Sequence, residues 1–156
     1  MDLDRFDRQL LDLVQQDASL TADQLAARVP LSASAIQRRL RRLRDEGVIV
    51  REAAIVDPAR VGGTTIFVAS LQVEREHPPL MAALRRWLAA EPRVQEAFYV
   101  TGEADFVLVV AARDAASYDA LMVRLVAENP NVRRFTTSVA LGVLKRGLEI
   151  PLADDA

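Results

Sequence analysis

The chain has no cysteine, one histidine, one tryptophan and only one lysine, Lys145, among its 20 basic residues. Without thiols, disulfide scaffolds, thiolate zinc centres and cysteine nucleophiles are excluded. One lysine leaves little room for Schiff-base chemistry. His77, alone ahead of Pro78-Pro79, reads as a surface turn residue. There is no Gly-x-Ser-x-Gly, no phosphate-cradling glycine loop and no metal-ligand spacing. No catalytic residue, cofactor or metal is expected. The opening MDLDRFDRQL is acidic and lacks the apolar core of a signal peptide, and no apolar run approaches membrane length. These absences point to a cytoplasmic protein with no membrane partner.

What the chain does have is apolar bulk and arginine. At 156 residues and 51% apolar it can build one ordinary domain or two small ones. The net charge of −2 hides a local excess, because the window from Arg28 to Arg44 holds six arginines and no acid. A basic patch of this kind marks nucleic-acid contact better than the total charge does.

Most of that patch lies in Leu31 to Ile49, LSASAIQRRLRRLRDEGVI. At about 100° per residue, Ile36, Leu40 and Leu43 form one apolar stripe, while Ser34, Arg38 and Arg41 fall on the opposite face with Gln37 and Arg42 beside them. Short polar residues lead and arginines follow, the order that suits a helix whose first turn approaches base edges. The candidate DNA-binding residues are Ser32, Ser34, Ala35, Gln37, Arg38, Arg39, Arg41 and Arg42. Within this set Ser34, Gln37 and Arg38 are the base-edge candidates and Arg41 and Arg42 the phosphate candidates, whereas Arg39, like Arg44, flanks the stripe. The competing reading is a solvated charged face, the commonest fate of arginines on a helix.

Along the chain, Asp4 can cap a helix running to about Gln16, with Phe6, Leu10 and Leu13 inward. Thr21 and Gln24 form a capping box for a short helix reaching Val29, with Leu25 and Ala26 inward. After Pro30 and Leu31, Ser32 caps the arginine helix and Gly47 ends it. That succession is a helix-turn-helix with a supporting first helix. Val48 to Val56 is β-prone, and Asp57-Pro58 and Gly62-Gly63 punctuate a linker carrying a strand or two.

The remainder alternates differently. Strands are expected over Thr64–Val73, Val94–Val100, Phe106–Ala111 and Val132–Leu144. Helices are expected after Pro78-Pro79, with Leu80, Leu84, Trp87 and Leu88 inward, and after a cap at Asp114 or Ser117, with Leu121, Leu125 and Val126 apolar. The nearly all-apolar Phe106–Ala111 suits a strand central in its sheet or buried on both faces. The order is βαββαβ, the ferredoxin-like split βαβ. Two helices on one face leave the other bare, and a bare face carrying Val and Phe implies a partner. The fold class is thus α+β, with a helix-turn-helix domain over residues 1–50, a strand-bearing linker over 51–63 and a ferredoxin-like domain over 64–156.

These residues carry a resemblance. LDRFDRQLLDLVQQD, TADQLAARV, LSASAIQRRLRRLRDEGVI, VDPARVG, VTGEADFVLVV and TTSVALGVLK occur in the order in which the Lrp/AsnC, or feast/famine, transcriptional regulators carry such segments. The resemblance implies a winged or plain helix-turn-helix joined to a ferredoxin-like, RAM-type effector domain. It also implies dimers through the sheets, often assembled into octamers, and amino-acid ligands held near the glycine-acidic loop. Two positions depart from the family pattern. Pro30 stands where a glycine is usual before the recognition helix, so the turn must be built without a positive φ. The effector loop reads Gly102-Glu103-Ala104-Asp105 rather than Gly-Asp-x-Asp, which lengthens one acidic arm.

Gly102, Glu103, Ala104 and Asp105 are the candidate effector loop, joined by hydroxyls from Thr136, Thr137 and Ser138. Turn amides can take a carboxylate while an acid takes an ammonium group. The alternative is a plain turn with solvated acids, beside ordinary outward strand residues. Trp87 reads as core or interface, and Asp154-Asp155 as a solvated tail.

An enzyme reading on the ferredoxin-like half would need a glycine loop and a placed arginine after the first strand. Gln72 to Glu76 offers Arg75 without glycines, and fold alone carries no activity. The expected partners are double-stranded DNA, a small effector such as an amino acid or related metabolite, and a second copy of the chain. A dimer would set two recognition helices about 34–36 Å apart on a near-palindromic site. The alternative function is an architectural DNA-wrapping protein, whose affinity comes from phosphates with little sequence choice.

Overall fold

The computed structural model describes residues 2–74 and 77–152. Arg75 and the Asp154-Asp155 pair lie outside the described residues. The chain divides into two compact units, Met1–Ile55 with Lys145–Ala156, and Val56–Leu144.

The first unit holds α1 (Arg5–Gln16), α2 (Ala22–Ala26) and α3 (Ala33–Asp45). Each begins at the cap its sequence offers. The Asp4 carboxylate accepts from the Phe6 and Asp7 backbone N–H groups, and Thr21 and Gln24 bond reciprocally. Ser32 Oγ accepts from the Ala35 N–H. Gly47, at φ +71°, closes α3 in the left-handed region expected of that position. Leu10, Leu25, Ile36 and Leu43 are completely buried together, with Leu11, Val29 and Leu40 around them.

The boundaries differ from expectation at both ends of the second unit. The C-terminal segment from Lys145 belongs with the helix-turn-helix unit, not with the expected 64–156 domain. The Gln15 side chain bonds both the N–H and the C=O of Ile150, and Leu152 packs against the three-helix core. No strand forms between Val48 and Val56 among the described residues, contrary to the strand-bearing linker expected over 51–63. β-prone residues need an edge to pair with, and Val50 and Ile55, 86% and 93% exposed, have none among the described residues. The linker instead holds a single 3-10 turn, Pro58–Val61, capped by Asp57.

The second unit is β1 (Thr65–Val73), α4 (Pro78–Ala90), β2 (Val94–Tyr99), β3 (Phe106–Ala112), α5 (Ala115–Glu128) and β4 (Val132–Val139). The strands form one antiparallel sheet in the order β2-β3-β1-β4, the ferredoxin-like arrangement. Phe67, Ala69 and Leu71 of β1 and Phe106, Leu108 and Val110 of β3 meet Met81, Leu84 and Leu88 of α4 and Tyr118, Leu121 and Leu125 of α5.

β3 is central, but it is buried on this face alone. Val107, Val109 and Ala111 point to the other side and are half-buried. β4 stops at Val139 rather than Leu144, because β1 begins at Thr65 and the last available acceptor, Ile66 C=O, is taken by the Ala140 N–H.

Buried Glu91 ties this unit together, bridging Arg93 and Arg124. Burial pushes its carboxyl up, but hydrogen bonds and charge from the two arginines outweigh that and leave it below the ordinary value.

Asp114 is the cap of α5, accepting from both the Ser117 hydroxyl and its backbone N–H. These bonds, with Arg113 beside them, hold its carboxyl down to about 2. A carboxyl depressed on folding contributes stability above its ordinary value of about 3.8 and loses it as pH falls toward about 2. Asp114→Asn, which keeps a capping oxygen but no charge, should flatten that part of the acid limb in denaturation curves collected at stepped pH.

Candidate functional site

The turn ahead of α3 is rebuilt around Pro30. The Leu31 N–H donates to the Val29 C=O at 2.7 Å, an inverse γ-turn whose central φ is near the one proline imposes. No non-glycine residue has a positive φ among the described residues. The chain reaches Ser32 without the left-handed residue that a glycine would supply.

Ile36, Leu40 and Leu43 are buried, so the helix is anchored by the stripe read from the sequence. Ser34, Gln37, Arg38 and Arg41 are exposed, while Ala35 is half-buried. Ser32 is engaged as the cap, and its hydroxyl also shares a 3.1 Å hydrogen bond with Ser34 Oγ.

The five arginines of α3 separate into two groups. Arg39 Nη1 donates to Asp4 Oδ2 at 2.7 Å and to Asp7 Oδ1 at 2.8 Å, and Arg42 Nη2 donates to Asp7 Oδ2 at 2.5 Å. Arg44 is clasped by Glu52 through Nε and Nη2. No ion pair involves Arg38 or Arg41 among the described residues. Arg39 and Arg42, both candidate DNA contacts from the sequence, are therefore turned back onto α1. The reason is electrostatic, since two carboxylates at the head of α1 offer charge-assisted bonds on that flank of α3.

Asp7 is the residue that sequence reasoning missed. It is 1% exposed, with both carboxylate oxygens bonded to arginine. The available signal was an acid placed among the apolar positions of α1, between Phe6 and Leu10. The same cluster sets Asp4, whose carboxyl is held below its ordinary value by the Asp7 backbone N–H, with Arg39 adding to the effect. Arg39 is correspondingly held above its ordinary value by its bonds to Asp4 and Asp7.

In the second unit, the loop Gly102–Asp105 joins β2 to β3, with Gly102 at φ +125°, where a side chain would be strained. The loop is fastened to the end of β1. Asp105 Oδ2 accepts the Val73 N–H at 2.7 Å, the Asp105 N–H donates to Leu71 C=O, and Gln72 Nε2 donates to Glu103 C=O. Gly102, Glu103 and Ala104 thus form an open turn, while half-buried Asp105 also serves as a strand-end fastener.

Thr136, Thr137 and Ser138 are not on one face. Thr137 lies opposite buried Ala69, and its hydroxyl shares a 2.7 Å hydrogen bond with Tyr118 of α5. Thr136 and Ser138, opposite Ser70 and Val68, point to the open side of the sheet. Strand alternation removes Thr137 from the hydroxyl set expected to join the loop. Thr136 remains about two strand spacings, roughly 10 Å, from β3.

Two known domain families match separate stretches of the chain. Residues 3–50 match the model for winged helix-turn-helix DNA-binding domains, and residues 66–150 match that for the Lrp/AsnC ligand-binding domain. These two parts define a DNA-binding regulator with a ligand-binding domain.

The chain belongs to the Lrp/AsnC family of transcriptional regulators. An HTH-type transcriptional regulator of Sinorhizobium fredii is 37% identical over 152 residues, covering 97% of this chain and 90% of that protein. The crystal structure of an AsnC family transcriptional regulator from Agrobacterium tumefaciens superposes with a TM-score of 0.88 at 30% identity, over 96% of this chain and 97% of that one. A transcriptional regulator of Neisseria meningitidis, solved as its L-Met complex, gives 0.87 at 26% identity over 97% of each. No helix among the described residues is long and apolar enough to cross a membrane.

The double use of Asp105 makes its two substitutions diverge. Asp105→Ala leaves the Val73 N–H without its acceptor and should destabilise the protein by about 1–3 kcal/mol. Asp105→Asn keeps an acceptor oxygen and should cost much less. Urea denaturation of both variants checks the difference, and equal losses would mean that the carboxylate charge, rather than the hydrogen bond, fastens the loop.

Proposed function

We propose that this regulator reads duplex DNA with the outward face of α3, using Ser34, Gln37 and Arg38 at base edges and Arg41 at phosphate. The observation that carries this reading is the sorting of the arginines. Three are bound to carboxylates, while Arg38 and Arg41 stand exposed on the face that carries Ser34 and Gln37. The half-buried Val68, Val107 and Val109 and the exposed Phe98 share the open face of the sheet, which supports a homodimer formed through it.

The test is a comparison of binding across sequences at fixed salt. Gln37→Ala and Arg38→Ala should each relax preference at particular base positions, a lost bidentate contact costing about 1–3 kcal/mol against the correct base. Arg41→Ala should weaken binding to all sequences alike and reduce the slope of log K against log salt by about 1. A uniform loss from all three variants would instead favour an architectural, weakly specific DNA-wrapping protein.

The Gly102–Asp105 turn is our proposed effector site, for an amino acid or related small metabolite. Support comes from an open turn of backbone amides beside exposed Glu103 and the remaining oxygen of Asp105, a pairing suited to a zwitterion. The Neisseria relative, solved with L-Met, supports the same ligand class. A ligand that prefers one assembly or conformation would shift DNA affinity by that difference.

Thermal denaturation with the twenty amino acids and common catabolic intermediates should single out a stabilising compound, worth about 2.7 kcal/mol at a hundred times its Kd. Asp105→Asn should remove that response. A panel without any shift, together with unchanged DNA binding, would overturn the effector reading.

A further inference from the structure

We propose that Asp7 is a specificity-determining residue for DNA: its buried carboxylate keeps Arg39 and Arg42 off the phosphate backbone, so that only the outward face of α3 engages the duplex. The inference rests on α3 being the DNA-reading helix. Arg39 and Arg42 are three positions apart and so share one flank of α3, the flank turned to the head of α1. Each takes a different oxygen of Asp7, and Arg39 takes Asp4 Oδ2 as well. Two positive and two negative charges are gathered there, and the cluster is neutral.

The restraint matters because Arg42 is not sealed in. Its side chain is 42% exposed, against 23% for Arg39, so a phosphate can compete for it from solvent. Contacts to phosphate carry no sequence information, and every added one strengthens binding to any duplex. In a sequence-specific complex the helix is fixed in the groove by its base contacts, and a cation on its flank has little freedom to find a phosphate. In a nonspecific complex the protein can roll toward the backbone, and a released guanidinium adds its contact there first. Neutralising Asp7 should therefore tighten nonspecific binding more than specific binding.

A merely structural Asp7 would have a different signature, because partial loss of the fold weakens both kinds of binding. The full-length protein is titrated over a range of salt with a mixed-sequence duplex and with a duplex enriched by selection on the wild-type protein. For Asp7→Asn, the salt slope on mixed-sequence DNA should steepen by about 0.9 for each arginine released, about a 3- to 4-fold larger change in affinity between about 50 and 200 mM salt. The ratio of specific to nonspecific affinity should fall.

The triple variant Asp7→Asn/Arg39→Gln/Arg42→Gln has no uncompensated buried charge and should show the wild-type slope. An unchanged slope in folded Asp7→Asn overturns the proposal. A shallower slope in the triple variant overturns it too, by showing that these arginines already contact phosphate in the wild type. Should circular dichroism show that Asp7→Asn does not fold, the triple variant decides alone. Failure of the underlying reading is separable: Gln37→Ala and Arg38→Ala would then leave base preference untouched, whatever the slopes do.

Discussion

Five arginines crowd the last eight residues of α3, and the carboxylates that hold three of them constrain its surroundings. Ile36, Leu40 and Leu43 bury one side of α3, but unbalanced cations on both flanks would repel one another and attract any anion. Carboxylates supplied by α1 and by the residues after α3 resolve this. Asp7, and with it Asp4, takes one flank, and Glu52 takes Arg44 at the end of the helix. What is left uncompensated is a narrow face carrying Arg38 and Arg41.

The second unit obeys a different constraint, the two-residue period of its strands. One set of side chains makes the core with α4 and α5, and the alternate set is left to solvent or to a partner. The hydroxyls proposed for ligand contact are sorted by the same period. Thr137 falls to the helix side and spends its hydroxyl on Tyr118, while Thr136 and Ser138 stay on the open face. The loop between β2 and β3 escapes the period, but at the cost of being fastened to β1 through Asp105 and Gln72. Asp105 thereby couples the shape of the loop to the end of the sheet.

Much of this was legible from sequence because it depends on near neighbours. The caps at Asp4, Thr21 and Ser32, the stop at Gly47, the stripe on α3 and the βαββαβ order follow from spacings of a few residues, while the cap of α5 was narrowed to Asp114 or Ser117. The pairing of Arg39 and Arg42 with Asp7 was not legible, since 32 and 35 residues separate the partners and nothing local says which way a long side chain turns. The split of Thr137 from its neighbours was within reach, because alternation along a strand is a local rule. The linker misled for the opposite reason: its residues favour a strand, but a strand also needs an edge, and propensity does not supply one.

The path of the last described residues changes how the molecule should be thought of as a connected object. Because Ile150 and Leu152 rejoin the helix-turn-helix unit, the second compact unit is an insertion in the first: the chain enters it after Ile55 and leaves it after Leu144. Two covalent crossings, rather than one, join the units. The DNA-binding unit is then not a detachable head, since an excised N-terminal fragment would lack a piece of its own packing.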